Sequence, residues 1–579
     1  PILWLGTLLG AFVFRWATAG EQGDFSQRET RPHPTPKAGL IAGLIALTLY
    51  TFDPNLIAHG SLITTDMAAV FLMIATLYIV ATWKPKRLWV RDVIIGALLG
   101  LAQLTKVSAL MLVPVVGLIL GFQNVGHLKT VGNPSQGHKI TAYVHPILHF
   151  IIQSAFILAT AALVTWAGYG FQWTQVSINT EALLQTTQRL KSLLRTADFS
   201  LKIPAGTHIL IYQSLREHYE LGHPTFLMGR VSTHGWWWYF PVAFPLNTPF
   251  PTLILTASAA VLRISKAKHK VNVPFLLFPL LYATSSLFST VNIGYRHLLP
   301  LLPFLYIGIG RALSHSHAKR FLPVITSLLL IWQVIGALHI APHYLTFFNA
   351  IAGGTKGGYR YLVDSNLDWG QNLWDLKRWL TQNNEETTTK VVTTNSHVET
   401  TSNLESVSED IITTNRPLYY AHYSPARPSS YGINADFLPP DPRAVPLTPW
   451  QPTPGLYAIG ATVLQGPYAP DINTYAWFRT HTPITRLGNA LWVYDVPPRP
   501  SVTWAVICTE AGLSPEALKA KVGQPDMRIL HTDCAQTYVH SADPNPGLYI
   551  FGVEGSQRNS VILSLPKDLT LGEGFLTES

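Results

Sequence analysis

DVIIGALLGLAQLTKVSALMLVPVVGLILGF, residues 92–122, decides how the fold is read. It is free of charge except for Asp92 at its start and Lys106 near its middle. As one kinked helix it crosses a bilayer once; broken at Thr105–Lys106 it crosses twice and leaves the lysine at a membrane face. Parity settles the choice. Other apolar runs that could cross about 30 Å of hydrocarbon as helices lie near 1–19, 38–52, 66–83, 142–165, 240–262, 273–290, 298–312 and 321–340. The connectors at 20–37, 84–91, 123–141, 263–271 and 313–320 are short and basic, whereas those at 53–65 and 291–297 are nearly free of Lys and Arg. With 92–104 and 106–122 as separate spans there are ten, and every basic connector falls on one side, as the positive-inside rule requires. With nine, the pattern breaks midway.

The sequence therefore predicts a polytopic α-helical membrane protein with cytoplasmic basic loops. On the outer face it puts the 53–66 loop, the Lys106 break, a long loop at 166–239, GYRHLLP and everything from about 341 onward. Composition agrees: 13% of the 579 residues are charged and 48% are hydrophobic, against about 25% charged in soluble domains. Many of the 17 Trp stand where an apolar run ends, as interfacial belts require. The net charge of +9 is spread along loops with no basic stripe, which argues against a nucleic-acid partner. Cys508 and Cys534 could pair if their region is extracytoplasmic. The chain opens at Pro1 directly on an apolar run, so a further N-terminal segment is expected upstream.

Beyond residue 340 the composition turns polar. Residues 341–499 read as a small α/β domain with strands at 359–363, 417–423, 455–464 and 490–496, a helix at about 370–381 and a Thr/Asn/Ser/Glu-rich insertion at 382–415. Residues 500–579 offer strands in TWAVICT and GLYIFGV around a helix, PEALKAKV. In the long loop, EALLQTTQRLKSLLR (181–195) places Leu183, Leu184, Leu190 and Leu194 on one helical face. That pattern suits a helix lying in the membrane interface, or one packed on the bundle.

Several polar residues stand where their charge is costly. Asp66 opens an apolar span, where an N-terminal helix cap is the plain explanation. Asp53 and His59 share its loop, and Asp53-Pro54 alone is a common turn. Lys106 interrupts apolar sequence; it can snorkel to the interface, but ionisable groups at membrane depth usually line a cavity or meet a charge. Arg296, in NIGYRHLLPLLPFLY (292–306), has the same logic and can grip a phosphate through two hydrogen bonds. Two cations beside lipid suit a lipid-linked phosphate. No Walker loop, GxSxG, HExxH or CxxC is present, so soluble NTPase, hydrolase and zinc readings have no support.

FDPNLIAHGSLITTDMAAV, GLAQLTKVSALMLVPV, HGWWWYFPVAFPLNTPFPTL, NIGYRHLLPLLPFLY and YLTFFNAIAGGTKGGYRYLVDSNLDWGQNL, in that order, resemble the bacterial glycosyltransferase family 39 proteins. These are relatives of protein O-mannosyltransferases and of the aminoarabinose transferases of lipid A. The resemblance spans residues 1 to about 497. It implies a C-type membrane glycosyltransferase of the bacterial cytoplasmic membrane. Such an enzyme moves a sugar from a polyprenyl-phosphate carrier to a protein, lipid or polysaccharide acceptor on the extracytoplasmic face. An acid in the first outer loop would serve as general base, and that loop is expected upstream of Pro1. Lys106 and Arg296 would hold the carrier phosphate, with His59 and His297 as further candidates. Asp66 would be a second acid. Asp364, Asn366, Asp368, Trp369 and Gln371 would cover the site. Asn247, in PLNTP, stands where the resemblance leads one to expect a lysine. No cofactor is implied, and metal dependence is open. Two other classes fit less well: a non-catalytic glycolipid-binding or assembly protein of the same fold, and a transporter of lipid-linked sugars, which would show paired repeats.

Overall fold

The computed structural model describes residues 2–19, 36–130, 139–178, 199–265, 273–314, 321–383, 416–424, 426–445, 447, 452–497, 502–522, 524–533, 547–552 and 559–564. Its contacts divide the chain into two compact units, Pro1–Asp495 and Val496–Ser579; the boundary expected at 340/341 falls inside the first.

Each of the ten apolar stretches contains a helix. The first are α1 (Ile2–Thr18), α2 (Pro36–Thr51), α3 (Pro54–Ser61), α4 (Asp66–Thr82), α5 (Leu88–Thr105), α6 (Leu112–Thr130) and α7 (Lys139–Gly168). After the long loop come α9 (Tyr239–Asn247), α10 (Phe250–Ser265), α11 (Val273–Leu287), α12 (Leu302–Ser314) and α13 (Leu322–Ile340). Among the described residues five helical stretches are long and apolar enough to cross a membrane: Leu88–Thr105, Val107–Asn124, Pro146–Gly168, Tyr295–Ser314 and Leu322–Ile340. A sixth is gained if the pair α2–α3, bent by 57°, is one broken span.

Three features of this layout matter for the site, the first two of them departures from the expected one. First, the 53–65 connector is largely helical. Asp53 caps α3, its Oδ1 accepting from the Asn55 and Leu56 N–H groups at 2.8 and 3.0 Å, and Pro54 supplies the preset first-turn backbone. Second, the 240–262 run is two helices. α9 ends at Asn247, and extended Thr248 precedes Pro249, which disfavours helical backbone in the residue before it. Third, the 92–122 stretch is broken as the parity argument requires. Lys106 is extended (φ −158°, ψ 128°), and a 3-10 turn, Val107–Met111, leads into α6.

Glycines let α5 approach α7 closely. A Cβ on Gly96 would stand 2.7 Å from the Ile157 carbonyl oxygen, and one on Gly100 2.6 Å from that of Ala161. Small residues four apart permit such backbone proximity between membrane helices.

The long loop contributes an antiparallel hairpin, β1 (Trp173–Ile178) with β2 (Phe199–Pro204), then α8 (Gly206–Leu221), then a second hairpin, β3 (Thr225–Leu227) with β4 (Arg230–Ser232). The expected interfacial helix 181–195 and nearly all of the insertion 382–415 lie outside the described residues.

The strand expected at 359–363 is absent. Gly358–Arg360 is a 3-10 turn, because the glycines of GGTKGG favour tight turns over a pleated strand. The expected helix is α14 (Leu373–Asn383). The strands are β5 (Leu418–Ala421), β6 (Asp436–Phe437), β7 (Gly455–Gly460), β8 (Thr485–Leu487) and β9 (Leu491–Val496), ordered β6-β5-β7-β9-β8. β5 runs parallel to β6 and β7. Leu373, Leu376 and Leu380 of α14 pack on Leu418, Tyr420 and Val493, so one apolar stripe at helical spacing meets a buried sheet face.

The second unit has β10 (Trp504–Cys508), a helix Pro515–Val522, β11 (Arg528–Thr532), β12 (Gly547–Gly552) and β13 (Asn559–Ser564), ordered β11-β10-β12-β13. Cys508 is in a disulfide; Cys534 lies outside the described residues.

Candidate functional site

Asp66 begins α4, and the cap residue before it, Thr65, makes no side-chain bond to the helix. The Asp66 carboxylate is instead the centre of an ion cluster. Its Oδ1 accepts a hydrogen bond from Lys106 Nζ, and its Oδ2 lies 3.9 Å from Arg296 Nη1. Three segments distant in sequence supply these groups: the first turn of α4, the α5–α6 break, and the 3-10 turn Tyr295–Leu301. The carboxylate side chain is 4% exposed, whereas Lys106 and Arg296 keep 25% and 17%. The cations thus present an open edge while their counter-ion is enclosed.

Two cations against one carboxylate leave a surplus positive charge. A further anion is the natural complement, since an unneutralised buried charge is expensive. Four nitrogens at the site are buried and bond nothing among the described residues: Arg296 Nε, His59 Nδ1, His297 Nε2 and Trp369 Nε1. Both imidazoles lie within electrostatic reach of Asp66, Lys106 and Arg296.

The turn 364–371 forms a roof. The Arg296 guanidinium sits 4.9 Å from the centre of the Trp369 ring, a cation–π contact. The roof is joined to the 293–295 main chain, with Ser365 Oγ donating to the Ile293 carbonyl and Asn366 Oδ1 accepting from the Tyr295 N–H at 2.8 Å. Asn366 Nδ2 also donates to Tyr239 Oη at 3.0 Å. Gln371 fixes the turn internally, accepting from the Trp369 N–H at 2.7 Å and donating to the Leu367 carbonyl at 2.8 Å.

The two roof carboxylates each engage a further side chain. His422 Nδ1 accepts from the Ser424 N–H at 2.9 Å, so the ring carries its proton on Nε2 and donates to Asp368 Oδ1 at 2.5 Å. Asp364 adopts a left-handed backbone (φ 61°), accepts from Tyr468 Oη, and gives its N–H to Thr462 Oγ1 at 3.0 Å. Burial raises the Asp364 pKa, and the Tyr468 hydrogen bond opposes the shift.

Of the residues singled out from sequence, Asp66, Lys106, Arg296 and Trp369 come together directly. His59 and His297 border them. Asp364, Asn366, Asp368 and Gln371 hold the roof in place. Asp53 is absorbed in structure, capping α3 and accepting from Tyr306 Oη at 2.6 Å. Asn247 is likewise structural: its side chain donates to the Phe347 carbonyl at 3.0 Å, and its own carbonyl accepts from Asn55 at 2.9 Å. Sequence reading missed His223, His422, Tyr423 and Tyr468. Each lies in a loop or just past a strand end, with no spacing to mark it. Among the described residues no three His, Cys, Asp or Glu side chains gather as metal ligands would.

No protein-family model and no curated protein matches the chain. Among solved structures it is similar to ArnT from Cupriavidus metallidurans, in a crystal structure with undecaprenyl phosphate bound, at 11% identity and a TM-score of 0.36 over 85% of this chain and 83% of that one.

Proposed function

We propose that the chain is a membrane glycosyltransferase that moves a sugar from a polyprenyl-phosphate carrier to an acceptor on the extracytoplasmic face of a bacterial cytoplasmic membrane. The observation that supports it is the pairing of Lys106 and Arg296 on one enclosed carboxylate, Asp66, beneath the Trp369 ring. Both cations stand at breaks in apolar helices, where a phosphate on a lipid can reach them without leaving the membrane. In the topology of ten spans, both face outward together with the α/β region after residue 340.

The acceptor oxygen attacks the anomeric carbon of the sugar, the bond from that carbon to the phosphate oxygen breaks, and the phosphate leaves with added negative charge. Fixed cations lower the barrier by stabilising that charge as it develops. Arg296 offers a two-pronged contact and Lys106 a point charge. Asp66 keeps both cations in place in the resting protein, and the Trp369 roof limits water.

The test is transfer of labelled sugar from a polyprenyl-phosphate donor by membranes carrying the protein. Lys106→Ala and Arg296→Ala should each lower turnover by about 10²–10³-fold, the usual effect of removing one charge-stabilising group, with Arg296→Lys intermediate. Full turnover in both alanine variants would sink the proposal. Donor binding without any transfer by the wild type would favour a non-catalytic glycolipid-binding role.

A further inference from the structure

Behind the roof runs a hydrogen-bonded chain that the carrier site does not need. His223 Nε2 lies 2.9 Å from Tyr468 Oη, and Tyr468 Oη donates to Asp364 Oδ2. Asp364, next to the 293–296 turn, and His223, between α8 and β3, are both half-buried. The ring of Tyr423 stacks on Tyr468 with centroids 5.1 Å apart and planes within 8°. Its hydroxyl is committed to the Asp368 carbonyl.

Resting on the transferase reading above, we propose that Asp364, Tyr468 and His223 form a proton relay that takes the proton released by the acceptor hydroxyl and delivers it to solvent.

The chain has two fully bonded states. With Asp364 ionised, the Tyr468 hydroxyl must point to it, because a carboxylate only accepts, and His223 Nε2–H then donates to Tyr468. When the acceptor hydroxyl attacks, its proton passes to Asp364 as the new carbon–oxygen bond forms. His223 exchanges its proton from Nε2 to Nδ1 through water. Asp364 then gives its proton to Tyr468, which passes its own to His223 Nε2, forming an imidazolium. Loss of the Nδ1 proton to solvent restores the starting state. No charge or proton is left over.

The surroundings suit these roles. Desolvation makes Asp364 a stronger base than an exposed aspartate. His223 has its pKa lowered by burial, then by His218, then by the Arg296 charge, so its imidazolium sheds a proton readily. The ionisable groups around the chain are His218, with its ring 5.2 Å from that of His223, Tyr423, Arg296, and Tyr239, whose hydroxyl bonds Asn366.

The experiment compares wild type, Tyr468→Phe and His223→Ala in the transfer assay across pH. Both variants should lose at least about a hundredfold in kcat, at the low end of the 10²–10⁴-fold typical of acid–base groups, with donor KM unchanged. Added imidazole should restore His223→Ala in a concentration-dependent manner and leave Tyr468→Phe slow. Wild-type kcat and pH profile in both variants would overturn the relay alone. So would a loss in His223→Ala that imidazole does not repair, since that is the behaviour of a packing role. A wild type that transfers no sugar overturns the transferase reading, and the relay with it.

Discussion

Asp66 is the residue whose role differs most from its plain reading. A carboxylate at the start of a helix favours the helix dipole, yet here it also faces two cations. A phosphate arriving at the open edge therefore competes with Asp66 for both cations. Asp66→Asn should bind a short-chain polyprenyl phosphate more tightly than wild type, because the competing anion is gone, while its folded state loses stability through two cations left unpaired. Titration by calorimetry together with thermal unfolding in detergent checks both signs; weaker binding by the variant would place Asp66 among the ligand contacts. Asp364 allows a second prediction. Its pKa is raised by burial, so its neutral form favours the fold. That contribution is complete below the ordinary aspartate pKa and fades as pH rises through the folded-state value. The Asp364→Asn variant lacks this titration. Its Tm should therefore gain on that of wild type as pH rises through the window and level off above it. A gap that stays constant with pH assigns the difference to something other than the carboxylate.

At the scale of elements, the site depends on where α5 ends. Its last residue is Thr105, and Lys106 follows in extended backbone, so anything that shifts α5 along or away from α7 moves the lysine from Asp66. Gly96 and Gly100 set that distance, since a Cβ on either would press on α7 backbone oxygens. Gly100→Val should destabilise the protein by about 1–3 kcal/mol, the range for overpacked positions. It should also lower transfer more than its stability loss explains. Unfolding of the purified protein and activity at a temperature where the variant stays folded separate the two effects. Unchanged stability would mean that α5 and α7 adjust freely. This level of organisation was readable beforehand only in part. The Lys106 break followed from charge parity alone. The bend at Asp53 and the split at Thr248 were hidden because a proline after a short polar residue signals a turn, a cap or a helix start equally well.

For the whole molecule, hydropathy located apolar stretches that contain helices, because apolar length is a local property of the chain. It also found Lys106, Arg296 and Asp66 one at a time, as charges out of place. What it could not supply was their partners. Tyr468 lies in a short loop and His422 just past the end of β5, and they acquire roles only through the 364–371 turn that reaches back to residues 293–296. The strand expected at 359–363 failed for a related reason: its Tyr and Val suited a strand, but the adjoining glycines favoured turns. The sequence order of the three charged groups has its own consequence. During synthesis the chain emerges from the N-terminus, and segments assemble as they appear. Asp66 and Lys106 are both made long before Arg296, so each charge meets its opposite while the later helices are still unwritten. The nascent protein can settle in its bilayer as a neutral pair. The arginine that gives the site its surplus charge arrives only when its own turn is made, and the tryptophan that covers it follows close behind.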